Sequence, residues 1–396
     1  MKQGWEIKKL GDVCEIMNGG TPDTTVPKFW DGENLWITPK DMGKMKSIYV
    51  DDTLRKITEE GLKNSSAKIL PINSIILSSR APIGHLAINT KPISTNQGCK
   101  GLVPKKGIST LYIYYFLSKS VDLLNSLGTG ATFKELSGSK LGDIEIPLPP
   151  LPEQQRIVAI LDEAFAAIAK AKTNAEQNLK NAKQLFESYL QSIFENKGEV
   201  WEEKKLGEVC EELFAGGDVP KNDSFKFKTD DYSIPIFSNG EKNKGLYGYT
   251  NVARVTKPSI TISARGTIGY SEIRNEHFYP AIRLIVVTPK KEFINLAYLK
   301  YVISGIDFKH SGSSIPQLTV PMIKEYPISF PSIKEQQTIV KKLDALSTET
   351  KKLETIYQNK IQDLEELKKS ILQKAFAGEL KVDNGELKMK KKLSAV

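Results

Sequence analysis

Residues 153–194 read EQQRIVAILDEAFAAIAKAKTNAEQNLKNAKQLFESYLQSIF, 42 positions without a proline or a glycine. Apolar residues recur there at spacings of four and three: Ile157, Leu161, Ala164, Ile168, Ala171 and Ala175, then Ala182, Leu185 and Tyr189, with Asn178 interrupting. A mean spacing near ~3.5 residues places one continuous apolar stripe along a helix that packs against another helix. A helix of this length would extend ~63 Å. A second stretch, 335–376, repeats the pattern with Ile339, Leu343, Leu346, Leu353, Tyr357, Leu364, Leu367 and Ile371, broken by Thr350 and Lys360. Prolines crowd the entry to each stretch, at 147–152 and 327–331, and Gly198 and Gly378 lie just past the exits. Proline halts an incoming strand and glycine ends a helix, so both stretches carry boundary signals. The alanine-rich first stripe complements the bulkier second. That favours antiparallel pairing within one chain over pairing of each helix with its counterpart in another molecule.

The rest of the chain is also duplicated. Trp5-Glu6-Ile7-Lys8-Lys9-Leu10-Gly11-Asp12-Val13-Cys14-Glu15 returns as Trp201-Glu202-Glu203-Lys204-Lys205-Leu206-Gly207-Glu208-Val209-Cys210-Glu211. Ser79-Arg80-Ala81-Pro82-Ile83-Gly84 is echoed by Ala264-Arg265-Gly266-Thr267-Ile268-Gly269, and Glu153-Gln154-Gln155 by Glu335-Gln336-Gln337. The order is head, helix, head, helix. The offset between copies drifts within the heads and holds at 182 in the helices. Loops absorb insertions cheaply, whereas a packed helix loses register. Each head reads as mixed α/β. Strand-like runs occur at 74–77, 86–88, 144–146, 259–262 and 284–287, and short helical patterns at 111–119 and 296–304. The matched pairs Trp5/Trp201 and Cys14/Cys210 read as core anchors.

Five segments follow: a first head over 1–152, a central helix over 153–198, a second head over 199–334, a C-terminal helix over 335–380, and a basic tail over 381–396. The fold class is therefore two tandem α/β (α+β) heads separated by two long helices that form an antiparallel coiled coil.

The chain has 396 residues, with 40% hydrophobic and 26% charged side chains, ordinary globular values. No run approaches the ~18 apolar residues of a membrane span. No secretory h-region opens the chain, and three cysteines build no disulfide framework, so a cytoplasmic location is expected. The net charge of +9 is spread thinly over both heads, with 19 basic and 15 acidic residues in 1–152 and 19 and 17 in 195–334. Such a surplus is compatible with a polyanionic partner. The tail lysines Lys388, Lys390, Lys391 and Lys392 read as a solvated end.

No catalytic constellation nominates itself. His85, His277 and His310 lack metal-ligand spacing, and no CxxC pair, P-loop, dinucleotide fingerprint or nucleophile elbow occurs. The Asp/Asn-Pro-Pro-aromatic tetrapeptide of amino-methyltransferases is missing too: Pro149-Pro150 follows Leu148, which cannot accept a hydrogen bond from a target amine.

With these features assembled, the chain resembles a type I restriction–modification specificity subunit. The resemblance rests on the duplicated Pro-Leu-Pro-Pro-Leu-Pro-Glu-Gln-Gln-Arg-Ile-Val at 147–158 and its weaker copy at 328–340. The head starts and the Ala-Phe-Ala-Gly-Glu-Leu ending at 375–380 add to it. Within the heads, Gly19-Gly20-Thr21-Pro22, Trp36-Ile37-Thr38-Pro39, Asn96-Gln97-Gly98-Cys99-Lys100-Gly101-Leu102, Thr132-Phe133-Lys134-Glu135-Leu136 and Phe237-Ser238-Asn239-Gly240 are similar to target-recognition domains of that family. The second head departs from the first, reading Gly216-Gly217-Asp218-Val219-Pro220 and placing Pro280-Ala281 where the first has Asn96-Gln97. The heads are therefore expected to read different bases.

The resemblance implies a non-catalytic reader of double-stranded DNA that binds no cofactor itself. It would assemble with two adenine-N6 methyltransferase subunits that use S-adenosylmethionine and with restriction subunits that use ATP and Mg. Its target would be two short half-sequences separated by a fixed spacer, with the coil as ruler. Direct readout needs bidentate donors and acceptors. The candidates are Lys40, Arg80, Gln97, Lys100 and Lys134 in the first head and Asn239, Lys242, Arg265, Arg283 and Gln317 in the second. A phosphate contact is the alternative for each. Alternatives for the whole chain are a coiled-coil adaptor that binds proteins and, more remotely, a nuclease with an unrecognised site.

Overall fold

The computed structural model describes residues 3–130, 134–198, 200–220, 223–308 and 317–380. The tail 381–396, His310, Thr132 and Phe133 lie outside the described residues. The central helix runs Leu151–Glu195 and the C-terminal helix Ile333–Ala377, each two residues earlier at its start than the proline signal implies. Gly378 follows at φ +75°, and its neighbour Glu379 donates to the Lys374 carbonyl at 2.9 Å. Only a residue free to turn left-handed closes a helix this way.

The chain divides into two compact units, 1–175 with 359–396, and 176–358. The boundaries drawn on composition fall at the ends of the helices. Packing instead cuts each helix near its middle, because each half of a helix is buried in a different unit. In the first unit a five-stranded sheet runs in the order Cys14–Asn18, Cys99–Pro104, Ile75–Ser78, Leu86–Asn89, Tyr49–Val50. A three-stranded sheet orders Arg55–Ile57, Trp30–Ile37, Ile93–Thr95. The second unit repeats the main sheet as Cys210–Ala215, Ile285–Pro289, Ser259–Ile262, Ser271–Arg274. Its other sheet orders Ser224–Phe225, Leu246–Thr250, Ile234–Phe237, Tyr279–Pro280. In both, an edge pair closes the head against the helix start: Glu6–Lys9 with Glu145–Leu148, and Glu202–Lys205 with Pro327–Phe330.

The buried anchors follow the repeat. Cys14 and Cys210 are buried and Trp201 is half-buried, while Trp5 joins the first core. Burial alone pushes both thiols up to about 12, so they pack as small apolar groups.

The joint between helix and head is built twice from the same parts. Gln154 is 1% exposed and Gln336 is fully buried. The Gln154 carbonyl accepts from the Ser109 amide at 2.9 Å, and its NH2 donates to Pro149 O at 2.9 Å. Gln336 accepts from Asn295 N at 2.7 Å and donates to Pro331 O at 2.8 Å and Phe293 O at 2.9 Å. Each glutamine thus satisfies an orphan N–H at the N-cap of the head helix, Thr110–Lys119 or Leu296–Gly305. Tyr112 and Tyr298 donate to the carbonyls of Pro147 and Ser329, and Tyr115 and Tyr301 to Asp162 and Asp344. The same aromatic faces receive the far ends of the other helices. Phe376 packs on Tyr112 and Phe116 with ring centroids at 5.0 and 5.5 Å, and Phe194 on Tyr298 at 5.9 Å.

Within the first unit the helices run antiparallel: Lys368 lies over the Phe165 ring, and Lys172 pairs with Glu365 at 2.6 Å. Ile157, Leu161, Ile168 and Leu364 are buried there and Leu367 packs against the same core. Leu343 is buried in the second unit, with Ile339 and Leu346 half-buried. Three positions of the expected stripe are corrected. Leu185 is 51% exposed, Leu353 37% and Tyr189 36%. From Ala175 onward the inward positions are Leu179, Ala182, Phe186 and Leu190. The ~3.6 period of a straight helix takes over from ~3.5 where the helix meets the second head, with Phe186 against Tyr301. On the other helix Thr350 fills the buried position, its hydroxyl donating to Leu346 O at 3.0 Å, and Glu354 turns inward beside it.

Replacing Gln336 by Leu keeps the volume but leaves buried backbone groups unpaired, a loss of about 1–3 kcal/mol per orphaned group. Gln336→Leu is expected to lower the denaturant midpoint of the full chain clearly, whereas Gln337→Leu, at an exposed neighbour, leaves it within error.

Candidate nucleic-acid interface

In each head the third strand of the main sheet ends in a turn that projects an arginine. Ile75–Ser78 leads into Arg80, and Ser259–Ile262 into Arg265. The turns share a frame. Gly84 N donates to Ser78 O at 3.0 Å, and Gly269 N to Ser263 O at 3.0 Å. The residue after each arginine is left-handed, Ala81 at φ +42° and Gly266 at +72°. Across the turn, Leu136 N donates to Ser79 O, and Leu318 N to Ala264 O, both at 2.9 Å. This brings the side chain before each leucine opposite the arginine: Glu135 in one head, Gln317 in the other.

A second loop is also matched. Gly19 N donates to Cys99 O, and Gly216 N to Leu284 O. Cys99 N returns to Asn96 O, and Leu284 N to Ala281 O. Asn96-Gln97 therefore corresponds to Ala281-Ile282, one residue later than the Pro280-Ala281 expected from the sequence. Glycine is required beside this loop, since a Cβ on Gly19 would sit 2.1 Å from Asn96 O, and one on Gly216 2.4 Å from Pro280 O. In the second head the loop tip is strained, with Ile282 at φ +21° and Arg283 at +64°. A β-branched residue with positive φ costs energy that the surrounding structure must hold, a feature that clusters at functional sites.

In the first head these loops line an open cleft of about 590 Å³ formed by Thr38, Lys40, Arg80, Asn96, Gly98 and Glu135 with their neighbours. Lys40 is exposed on the short helix Pro39–Met42, which Thr38 caps through the Asp41 amide. Arg80 donates one N–H to Glu135 at 3.3 Å. Gln97 is exposed at the rim, its carbonyl accepting from Asn96 Nδ2 at 2.9 Å and from the Thr21 hydroxyl. Lys134 is exposed beside Glu135. Lys100 differs from expectation: it is 6% exposed, with its ammonium 3.8 Å from Glu135. It lies behind the carboxylate as a positioning charge and offers no donor at the surface.

The second head gathers three of its candidates into one cluster. The Gln317 carbonyl accepts from Arg265 Nε and Nη2 at 3.1 and 2.8 Å and from Arg283 Nη1 at 2.8 Å. Lys242 is exposed on the adjoining turn, Lys242–Gly245. That turn is held from beneath by Arg274, which is 5% exposed, donates to Lys244 O and stacks 3.6 Å over Phe237. Asn239 also holds the frame. Its NH2 donates to Ile282 O at 2.7 Å, and its carbonyl accepts from Ala264 N at 2.7 Å. The two ends of the amide join the strained loop to the arginine turn, so Asn239 clamps one to the other. Sequence reasoning passed over Glu135 because it sought Arg or Lys for guanine and Asn or Gln for adenine, and weighed no carboxylate for cytosine. The signal that could have found it is its place one residue before a leucine that recurs in both copies.

Among the described residues no group of His, Cys, Asp and Glu could hold a metal ion, and no helix is long and apolar enough to cross a membrane. The geometry is a pair of polar, mostly cationic loop clusters, each at the end of an interior strand of its main sheet.

A sequence model of the type I restriction modification DNA specificity domain matches residues 2–179 and again 198–363. The specificity subunit of the type I restriction enzyme MjaIX of Methanocaldococcus jannaschii is 29% identical, over 96% of this chain and 94% of its own length. The putative type I specificity subunit S.MpnORF507P of Mycoplasma pneumoniae is 31% identical, over 76% of this chain and 88% of its own. A chain solved in work on complex assembly and conformational transition of the type I R-M system shares the fold, with TM-score 0.80 at 19% identity over 96% of this chain and 99% of that one. The HsdS subunit from Thermoanaerobacter tengcongensis does so with TM-score 0.63 at 18% identity over 96% and 98%.

Asn239→Ala is expected to destabilise the second head by about 1–3 kcal/mol through the amide and carbonyl it orphans. Urea unfolding would show it. A loss of DNA affinity with unchanged unfolding would contradict the clamp role.

Proposed function

Because the chain belongs to the type I restriction modification DNA specificity family, we propose that its two heads read the two unlike halves of one interrupted, asymmetric DNA sequence. The observation that carries this is the pairing of a repeated frame with unrepeated loop chemistry. The arginine turn and the glycine-bounded loop share their framing backbone hydrogen bonds: Gly84 to Ser78 and Gly269 to Ser263, Leu136 to Ser79 and Leu318 to Ala264, Gly19 to Cys99 and Gly216 to Leu284. The side chains on them differ: Glu135 stands against Gln317, Gln97 against Ile282, and Gly98 against Arg283. A duplicated frame presents both heads to the same kind of partner, and different side chains select different base edges.

The coiled helices then act as the ruler. Each spans 45 residues, about 68 Å at ~1.5 Å per residue. The family reading supplies the partners. Two adenine-N6 methyltransferase subunits carrying S-adenosylmethionine, and restriction subunits using ATP and Mg, make and break the bonds in the cytoplasm, while this chain chooses where. The protein-binding adaptor is not favoured: family membership and the cationic clusters both support DNA.

Matched insertions of four residues beside Asn178 and Lys360 lengthen the pair by about 6 Å, close to two base-pair steps of ~3.4 Å. Methylome sequencing of cells carrying the variant with its methyltransferase is expected to show both half-sequences unchanged and the gap between them widened. Altered half-sequences with an unaltered gap would reject the ruler.

A further inference from the structure

We propose that the position facing the projecting arginine, Glu135 in the first head and Gln317 in the second, determines which base pair each arginine accepts. The inference rests on the DNA reading above and deepens it. In the first head the cleft places a guanidinium donor and a carboxylate acceptor side by side, 3.3 Å apart. Glu135 is 40% exposed and Arg80 36%, so both are reachable. In the major groove a G·C pair presents the O6 and N7 acceptors of guanine next to the N4 donor of cytosine. Arg80 with Glu135 is the complement of that edge: donors toward guanine, an acceptor toward cytosine. An A·T pair would set the O4 acceptor of thymine against the carboxylate, two acceptors with no proton between them. The buried Lys100 ammonium stands 3.8 Å behind it, and a carboxylate group offers the base edge acceptors only.

The second head presents a different edge. Gln317 is neutral, and its carbonyl already accepts from both Arg265 and Arg283. The amide lines up two guanidinium forks and adds no negative charge, so the cluster offers donors only. Such a face suits the acceptor edge of guanine and places no acceptor opposite its partner base. Gln317 is thus a positioning residue for two readers, whereas Glu135 is itself a reader.

The test is selection from a pool of duplex DNA with both half-sites randomised, using the methyltransferase complex assembled on the full chain. The wild-type complex is expected to enrich a G·C pair in the first half-site. With Glu135→Gln, whose NH2 donates as readily as its carbonyl accepts, preference for cytosine over thymine at that one base pair is expected to fall about tenfold or more, the effect of ~1.4 kcal/mol. The second half-site stays unchanged. Gln317→Glu is expected to alter one position of the second half-site only, toward a pair that offers a donor. An unchanged first half-site in the Glu135→Gln complex would overturn the proposal. So would a uniform loss across all its positions, which marks a merely structural role. Failure of the wild-type complex to enrich any sequence would instead overturn the DNA reading on which the proposal stands.

Discussion

The structure depends on one buried amide used twice. Gln154 and Gln336 each sit where a long helix leaves its head, and each joins the helix entry to the N-cap of the head helix beside it. A buried amide fixes position more strictly than an apolar side chain. An apolar group tolerates sliding, whereas a carbonyl and an NH2 must both meet partners or leave charge unpaired. The tyrosines extend the same logic, since Tyr112 and Tyr298 bury their rings while their hydroxyls find a carbonyl. The Glu-Gln-Gln motif, the most recognisable string in the sequence, is thus the seat of a rigid joint and not of chemistry.

Around that joint the two helices exchange ends. Phe376 belongs to the helix that begins at the second head, yet packs on Tyr112 of the first. Phe194 belongs to the helix that begins at the first head, yet packs on Tyr298 of the second. Phe194 and Phe376 lie 182 positions apart, the spacing that separates the helices throughout. The equal spacing keeps both phenylalanines in place, and an unmatched insertion would undo it. A single added residue turns a helix by about 100°, which would carry either phenylalanine off its tyrosine. The loops on the far side of each sheet face no such restriction, and their lengths have drifted.

Much of this was legible in the sequence because periodic burial leaves a periodic trace. The heptad stripe, the duplicated head starts and the strands that carry the arginines all express repeated packing. What escaped was local and two-sided. Leu185 sits on the stripe by counting, but Phe186 is the residue that meets Tyr301, since the helix answers to the head as well as to its partner helix. Asn239 carries a reader's functional group, and nothing in one dimension says that its two ends bond Ala264 and Ile282. Lys100 looks like any basic residue until burial and the nearby Glu135 define it. A cation counts as a DNA contact only when its environment leaves it exposed, and exposure belongs to the fold.

Divergence on a fixed frame has a physical requirement: the variable side chains must not support the frame. The second head meets it unevenly. Arg274, Asn239 and the main sheet hold the backbone of the reading loops, while Arg265, Arg283 and Lys242 project from it. In the first head Ser79 N to Gly98 O and Leu136 N to Ser79 O are backbone bonds and Gly98 N is held by the Asn96 side chain, so Arg80, Gln97 and Lys134 can change without unseating a strand. Glu135 follows the same rule, for its main chain pairs with Thr129 while its side chain faces Arg80 and Lys100. A change at that site alters the charge of the cleft without touching the bonds that build it. That is the condition under which a new DNA sequence can be read on an old fold.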